Sequence, residues 1–250
     1  MDMIAVIKKY LQKKTGATPE TPVVEAYDTW AGSYDCQPGN LMLDLDEQLF
    51  SILIKNINLR NRRVADIGCG TGRHWQKLYA LKPNVIMGFD VSGGMLEQLK
   101  RKFPEALIQQ TTDDKLNMLP EAFVDCIITT LTIAHIKNIE EAIAAWSRVI
   151  KNDGDLLITD FHPEILAKGG KRSFTHNGAT MAVVNYVHPI KKIKSLFSKY
   201  GFTIVKHEEC HVDETVKPYY EAQNALPVYE RFKGMPVIYG FHLKKENAAE

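Results

Sequence analysis

The stretch that decides the fold reads Val64-Ala65-Asp66-Ile67-Gly68-Cys69-Gly70-Thr71-Gly72-Arg73. A short apolar run is followed by three glycines on alternating positions, and a helical pattern begins immediately after them. Glycine adopts backbone conformations that other residues avoid, and it lets another molecule approach the main chain closely. The stretch therefore predicts a strand, a tight turn and the start of a helix, with a ligand bound at the turn.

The chain after this stretch alternates between apolar runs and helical patterns. The apolar runs are at 64–67, 84–89, 106–109, 123–129 and 155–159. The helical patterns between them are at 72–81, 93–102 and 139–150. Continuous apolar strands that alternate with helices are typical of a parallel sheet covered on both faces. A helix at 189–200 and strands at 202–208 and 237–243 follow, so we predict a doubly wound α/β fold.

The first 60 residues have a different pattern. Helical spacing of apolar residues appears at 2–13, 23–34 and 41–57. We predict an N-terminal helical cap over 1–60 and an α/β domain over 61–250. An insertion at about 161–188, with a β-rich piece at 181–187, is expected to lie on the substrate side of the sheet.

The composition narrows the class of protein. A chain of 250 residues with 45% hydrophobic residues can bury one substantial core. Lys and Arg number 31 and Asp and Glu 30, so the net charge of +1 shows no basic excess of the kind that nucleic-acid binders carry. No signal peptide and no membrane-spanning window is evident. We therefore expect neither a nucleic acid nor a membrane as partner.

The four cysteines point to a reducing compartment. Cys36, Cys69, Cys126 and Cys210 form no C-x-x-C pair, and their spacing does not suggest a zinc site or a disulfide framework. We expect free thiols and a cytoplasmic location.

The spacing of the glycines discriminates between nucleotide ligands. In an open parallel sheet, ligands bind beyond the carboxyl ends of the strands. The dinucleotide fingerprint G-x-G-x-x-G requires its third glycine where this chain has Arg73. The glycines instead run G-x-G-x-G after Asp66, whose carboxylate suits a ligand that carries a positive group. This pattern disfavours an NAD-dependent oxidoreductase.

The stretch from Val64 to Gly72 resembles the first motif of the class I S-adenosylmethionine-dependent methyltransferases. A second match is Gly88-Phe89-Asp90-Val91-Ser92, which continues to Met95, and a third is Thr111-Thr112-Asp113-Asp114. Two further apolar strands match at 124–129 and 154–159. The resemblance implies a Rossmann-like sheet of seven strands, mostly parallel, with an antiparallel last strand.

The resemblance also implies the contacts of the cofactor. The turn is expected to hold the methionyl part of S-adenosylmethionine, with Asp66 near its amino group. Asp90 is expected to bind both ribose hydroxyls, since a carboxylate only accepts hydrogen bonds and can take two O–H donors. Asp113 or Asp114 would meet the adenine amino group, and a solvated turn is the alternative for both. The expected cofactor-binding residues are Asp66, Gly68, Cys69, Gly70, Thr71, Gly72, Asp90, Val91, Met95, Asp113, Asp114, Thr129 and Leu131.

Methyl transfer from a sulfonium mainly requires that donor and acceptor be aligned. A base is needed where the acceptor is a hydroxyl or an ammonium group. His162, at the carboxyl end of the fifth strand, is the first candidate, and His135 is the second, with a purely structural role open for His135. Relatives that use a metal carry clustered carboxylates after the fourth and fifth strands, and Asp160 stands alone here, so we predict no metal.

The substrate pocket is expected to use residues outside these motifs. The candidates are Tyr27, Trp30, Tyr34, His188 and Tyr219, and helix packing is the alternative for Trp30. Relatives that methylate nucleic-acid amino groups carry a Pro-Pro motif where this chain has Thr129-Thr130-Leu131-Thr132-Ile133. We therefore expect a small-molecule acceptor, while a substrate tethered to a carrier protein stays open.

The sequence thus predicts a methyltransferase that moves a methyl group from S-adenosylmethionine to an O, N or C atom of a small molecule. S-adenosylhomocysteine would be its product, and the enzyme would act as a monomer or homodimer. Two alternatives stay open at this point. One is different chemistry on the same fold, such as a cyclisation, since fold does not fix function. The other is a non-catalytic role in binding the cofactor or a metabolite.

Overall fold

The computed structural model describes residues 20–112 and 116–247. The helix predicted at 2–13 and the candidate adenine contacts Asp113 and Asp114 lie outside the described residues. The strands are β1 (Glu20–Thr21), β2 (Arg63–Ile67), β3 (Val85–Asp90), β4 (Leu107–Gln110), β5 (Val124–Thr130), β6 (Ile150–Phe161), β7 (Ser173–His176), β8 (Ala179–Val183), β9 (Phe202–His211) and β10 (Pro236–Lys245). The α-helices are α1 (Val23–Trp30), α2 (Leu41–Ile54), α3 (Trp75–Ala80), α4 (Gly93–Lys102), α5 (Ile139–Val149), α6 (Pro163–Ala167), α7 (Ile190–Lys199), α8 (Lys217–Ala222) and α9 (Leu226–Phe232).

The larger sheet has seven strands in the order β4-β3-β2-β5-β6-β10-β9. Strands β2 to β6 pair in parallel, and β10 runs antiparallel to both of its neighbours. The chain order reverses direction between β2 and β5, which is the switch point where ligands bind in such sheets. The predicted doubly wound α/β fold with an antiparallel last strand is confirmed.

Helices cover both faces of this sheet because alternate residues of its strands point to opposite sides. Val64 and Cys126 pack with Phe50 of α2 and Trp75 of α3. The neighbouring strand positions pack on the other face with α5 and α7, through residues such as Trp146. Helix α2 therefore packs against the larger sheet, although it was predicted as part of the N-terminal cap. It ends at Ile54, earlier than predicted.

A second, three-stranded sheet has the order β1-β8-β7. The hairpin β7–β8 lies in the predicted insertion, and β1 from the N-terminal segment pairs in parallel with β8. The cap is therefore not purely helical. The pairing joins residues about 160 positions apart in the chain, so local sequence patterns carry no signal for it.

The other departures from prediction lie at element ends. Strand β6 begins at Ile150, five residues before the apolar run predicted at 155–159. Strand β9 extends to His211 because it pairs with β10 along its length. Two short helices, α8 and α9, lie between the strands predicted at 202–208 and 237–243, where no element was predicted. No helix in the described part of the chain is long and apolar enough to cross a membrane.

Candidate functional site

The glycine turn between β2 and α3 is hydrogen-bonded to the end of β3. The backbone N–H groups of Gly68 and Cys69 both donate to the carbonyl oxygen of Phe89, at 2.7 and 3.1 Å. Gly68, Gly70 and Gly72 have φ of 67°, 52° and 69°, a region that side chains disfavour. A Cβ at Gly68 would overlap Thr132, whereas a Cβ at Gly70 would meet nothing within 4 Å. The turn therefore requires glycine at Gly68 because of close packing and at all three positions because of the positive φ, and it leaves open space in front of Gly70.

Asp90 ends β3 beside this turn. Its Oδ2 accepts the N–H of Gly70 and its Oδ1 accepts the N–H of Ser92, both at 2.8 Å. These two bonds orient the carboxylate, which also lines the cavity described next. Burial raises the pKa of Asp90, so further donors to its oxygens would stabilise the ionised form.

Two cavities meet at the glycine turn. The larger has a volume of about 190 Å³ and is mostly apolar. Its lining comprises Val23, Val24, Tyr27, Tyr34, Ile67, Gly68, Gly70, Phe89, Asp90, Val91, Met95, Thr111, Thr112, Leu116, Thr130, Leu131, Thr132, His135 and Ile136. The smaller, of about 30 Å³, is lined by Tyr34, Asp66, Gly68, Cys69, Gly70, Thr71, Arg73, His74, Thr130 and Leu131.

Asp66 is the acidic residue of the smaller cavity. Its Oδ2 accepts the indole N–H of Trp75 at 2.7 Å. Burial raises the pKa of Asp66 to about 6. A carboxylate held in this way would be stabilised by a cationic group bound next to it.

Helix α1 closes the larger cavity from the N-terminal side. Asp28 Oδ1 accepts the hydroxyl of Ser92 at 2.6 Å and the N–H of Gly94 at 2.9 Å, at the start of α4. Asp35, just beyond α1, accepts the Thr71 hydroxyl at 2.7 Å. Both carboxylates thus tie the N-terminal segment to elements that carry the predicted cofactor motifs.

A tyrosine–histidine pair stands in the wall of the larger cavity. Tyr27 Oη lies 2.8 Å from His135 Nε2, and His135 Nδ1 lies 2.9 Å from the carbonyl oxygen of Val184. A carbonyl only accepts, so Nδ1 carries the proton and Nε2 accepts the tyrosine O–H. Burial lowers the pKa of His135 to about 4, which agrees with a neutral ring.

His162 does not line either cavity. Its Nδ1 accepts the N–H of Glu164 at 3.3 Å and so caps α6, and its Nε2 lies 3.5 Å from Glu209. The ring is 2% exposed. The position at the end of β6 was predicted correctly, but the side chain turns to the start of α6, because the next residue, Pro163, begins that helix.

Other predicted site residues also lie outside the two cavities. Trp30 is buried and stacks on Phe174 with ring centroids 4.5 Å apart. His188 lies 2.7 Å from the carbonyl oxygen of Ile136, and the Tyr219 hydroxyl donates to Asp44. Thr129 is buried in β5, and Gly72 packs near Leu99 and Trp75.

The remaining predicted residues within the described chain line one or both cavities. They are Asp66, Gly68, Cys69, Gly70, Thr71, Asp90, Val91, Met95, Leu131, Tyr27, Tyr34 and His135. Thr111 and Thr112 of the third motif and Thr130, between Thr129 and Leu131, also line the larger cavity, and sequence reasoning missed Thr132. It also missed Leu116 and Ile136, which no local pattern sets apart from core residues. No cluster of three or more possible metal ligands occurs within 20–112 and 116–247.

The methyltransferase domain family matches residues 65–158 of the chain. An uncharacterized methyltransferase of Emericella nidulans is 25% identical over 219 residues, which cover 73% of this chain and 76% of that protein. The chain spans less than two thirds of the next two curated relatives that it matches.

Two solved structures share the fold. An S-adenosylmethionine-dependent methyltransferase of Mesorhizobium loti superposes with a TM-score of 0.60 and 16% identity, over 79% of this chain and 96% of that one. A (4+2)-cyclase superposes with a TM-score of 0.67 and 16% identity, over 93% of this chain and all of the other. The family match over residues 65–158, together with the strand order and the glycine turn, supports a class I S-adenosylmethionine-dependent methyltransferase.

The residues at the two cavities fit this cofactor. The open space in front of Gly70 admits a ligand against the backbone, and Asp90 presents an acceptor to it. Asp66 supplies a negative charge in the adjoining cavity, where a cationic group would be favoured.

Proposed function

We propose that the enzyme transfers a methyl group from S-adenosylmethionine to an O, N or C atom of a small molecule. The observation that carries the proposal is the closure of the larger cavity by α1. Its walls are the glycine turn on one side and Tyr27 and Tyr34 on the other. A concave cavity of about 190 Å³ suits a small ligand better than a folded macromolecule.

In this proposal the cofactor spans both cavities. Asp90 would accept the ribose hydroxyls, and Asp66 would face the ammonium group of the methionyl part. Phe89, Met95 and Leu116 supply apolar surface for the adenine. Asp113 and Asp114 remain candidate contacts of the adenine amino group. When bound, the cofactor supplies an electrophilic methyl group on a positively charged sulfur.

The pair Tyr27–His135 is our candidate for handling a proton of the acceptor. The Tyr27 hydroxyl donates to His135 and also interacts with Arg172, and its oxygen has a second acceptor position for a substrate hydroxyl or amine in the cavity. His162 is not adjacent to the cavity, and we propose that it serves the structure of α6 instead.

A metabolite extract incubated with S-adenosylmethionine that carries a radiolabelled methyl group tests the proposal. The extract is separated by size into small molecules, proteins and nucleic acids, and label is expected in the small-molecule fraction. The Asp90→Asn variant, which should bind the cofactor poorly, is the matched control. Label that appears only in protein or nucleic acid would contradict a small-molecule acceptor, and a protein adduct would favour a carrier-tethered substrate.

The structural likeness to a (4+2)-cyclase supports a second candidate, different chemistry on the same fold. Cofactor binding by calorimetry with no transfer of label to any fraction would favour this candidate or a non-catalytic role. The four cysteines are free, which suits the reducing cytoplasm that we propose as its location. A monomer or a homodimer is the proposed assembly, and size-exclusion chromatography with light scattering tests it.

A further inference from the structure

A buried arginine, Arg172, stands next to the cofactor cavity and has no role in the proposed methyl transfer. It lies between α6 and β7, and the residue is 2% exposed. Its Nη2 donates to the hydroxyl of Tyr34 at 3.0 Å. Tyr34 lines both cavities at the glycine turn, so Arg172 lies directly behind their wall.

Burial disfavours the charge of Arg172, but Tyr34, Tyr27 and Asp160 nearby raise its pKa, so the cation is supported by polar neighbours without a carboxylate in direct contact. Among the described residues no carboxylate lies within 4.0 Å of its guanidinium, and its Nε has no hydrogen-bond partner. Aromatic rings surround it, with the guanidinium carbon 5.0 Å from the centroid of Trp30 and 5.7 Å from that of Phe161. Aromatic faces stabilise a cation but do not accept all of its N–H groups. A buried cation in this state favours an anionic partner.

The nearby carboxyl group of Asp160 does not replace that partner. Its oxygens accept the backbone N–H groups of Ala134 and Phe161, at 2.9 and 2.6 Å. Burial raises the pKa of Asp160 to about 7, so at neutral pH this residue supplies only part of a negative charge.

Arg172 also lines a separate cavity of about 200 Å³. Most of the cavity wall is apolar and includes Met42, Phe161, Ile165 and Phe232. Val228, which is 43% exposed, belongs to the same lining, so the cavity reaches the surface of the molecule. An apolar cavity lined in part by a buried arginine whose Nε has no hydrogen-bond partner has the features of a binding site for an organic anion.

We propose that this cavity binds the substrate and that the substrate is an organic acid with an apolar body. The carboxylate would sit on Arg172, whose planar N–H groups match it, and the body would contact the apolar wall. The acid would thereby be anchored beside Tyr34, at the wall of the cofactor cavity. This inference rests on the proposed small-molecule methyl transfer and names the class of acceptor for it.

Isothermal titration calorimetry on the protein saturated with S-adenosylhomocysteine tests the inference without any catalytic readout. The probes are hexanoate, octanoate and 4-phenylbutanoate, each paired with its uncharged amide. We expect at least one acid to bind, and its amide to bind about tenfold more weakly or worse, because the amide lacks the charge that Arg172 recognises. Failure of all three acids to bind, or equal binding of acid and amide, overturns the proposal.

Two variants test whether the preference for the acid over the amide depends on Arg172. Arg172→Met should reduce the preference for the acid to about twofold or less while the affinity for S-adenosylhomocysteine stays unchanged. Lys171→Met removes a neighbouring cation of the same cavity, which is exposed and paired with Glu20 at 2.8 Å, and should keep the preference. If Arg172→Met fails to fold, the ratio of the affinities for acid and amide, measured on the unmodified protein, still tests the proposal.

The remaining outcomes separate this inference from the proposed function. Loss of S-adenosylhomocysteine binding in Arg172→Met, with the acid preference intact, would assign the arginine to the cofactor and overturn the inference. A protein that binds S-adenosylhomocysteine but none of the acids contradicts only the inference. A protein that does not bind S-adenosylhomocysteine at all contradicts the proposed function.

Discussion

Asp90 holds its carboxylate in place with two backbone N–H groups and presents its remaining acceptor positions to the cavity. Replacement by Asn keeps the size but loses the charge, so bonds from ribose hydroxyls would weaken. We expect Asp90→Asn to weaken the affinity for S-adenosylhomocysteine about tenfold or more, since hydrogen bonds to charged groups contribute roughly 1.5–3 kcal/mol. Calorimetric titration measures this. Glu97→Gln, on the exposed side of α4, is the control and should leave the affinity unchanged.

If Asp66 contacts the cofactor as proposed, we expect the binding of the cofactor to depend on pH. Its pKa is about 6 in the free protein because burial disfavours the ionised form. Above pH 6 the carboxylate is charged and can pair with the ammonium group of the ligand. Below pH 6 it becomes protonated, so the affinity for S-adenosylhomocysteine should fall as the pH drops from 7 to 5. In Asp66→Asn the affinity should be weaker at pH 7 and nearly flat over the same range; an unaltered pH profile would remove Asp66 from the cofactor site.

At the scale of single elements, α6 shows how a residue predicted as catalytic serves a helix. His162 accepts the N–H of Glu164 at the start of α6, and Pro163 occupies the first helical position, where no N–H is needed. Removing such a cap usually costs about 0.5–2 kcal/mol. We expect His162→Ala to lower the free energy of unfolding by about 1–2 kcal/mol, with the affinity for S-adenosylhomocysteine unchanged.

Urea denaturation of His162→Ala and of His162→Asn, which keeps an acceptor at the cap, measures this contribution. The Asn variant should recover part of the lost stability. Normal stability of His162→Ala combined with a large loss of turnover would instead return His162 to a catalytic role.

Helix α1 contributes one aromatic side chain to the cavity and another to the packing of the hairpin β7–β8. Its aromatic residues Tyr27 and Trp30 are spaced to share one side, yet only Tyr27 lines the cavity, while Trp30 packs on Phe174 of β7. The hairpin of the insertion therefore decides which aromatic ring is available to a ligand. This partner comes from a distant part of the chain, and the spacing within α1 does not specify it.

At the scale of the whole molecule, Asp46 joins three separate parts of the fold. This residue of α2 is fully buried and accepts hydrogen bonds from Arg73 after the glycine turn, from His74 at 2.9 Å and from Thr159 of β6. Burial lowers the pKa of His74 well below its usual value, so Arg73 supplies the balancing charge. Arg73 thus holds the turn against α2.

Asp46→Ala should therefore destabilise the protein strongly, because it leaves the largely buried Arg73 with only the more distant Glu47 carboxylate, at 4.0 Å. We expect a loss of about 2–4 kcal/mol, somewhat less than for a completely buried pair because the Arg73 side chain is 20% exposed. Chemical denaturation measures the loss. Asp44→Ala changes an exposed carboxylate on the same helix and should cost less than about 1 kcal/mol. Equal effects of the two substitutions would contradict a special role for Asp46.

Much of the central fold and of the cofactor site could be predicted because the signals are local. The apolar runs of β2, β3 and β5 lie within a few residues of their predicted bounds, and α4 begins and ends where predicted. Gly68, Gly70 and Asp90 line the cavity because a glycine turn and a strand end place them there through the backbone alone.

The substrate side could not be predicted in the same way. His188 and Tyr219 were candidate pocket residues, but neither lines the two cavities; they bond to the carbonyl oxygen of Ile136 and to Asp44. Arg172 gave no signal in the sequence, where it is one of several basic residues in a polar segment. Its burial follows from the closure of Trp30, Tyr34 and Phe161 around it.

The sequence alone determined the alternation of strands and helices, the glycine turn and the carboxylate at the end of β3, because each depends on residues close together in the chain. Only the tertiary structure decided which side chains close the cavity, that His162 caps a helix, and that a buried arginine faces a second cavity. These features depend on the packing of segments far apart in the chain, above all of the N-terminal segment against the hairpin β7–β8. Local periodicity carries no information about such contacts.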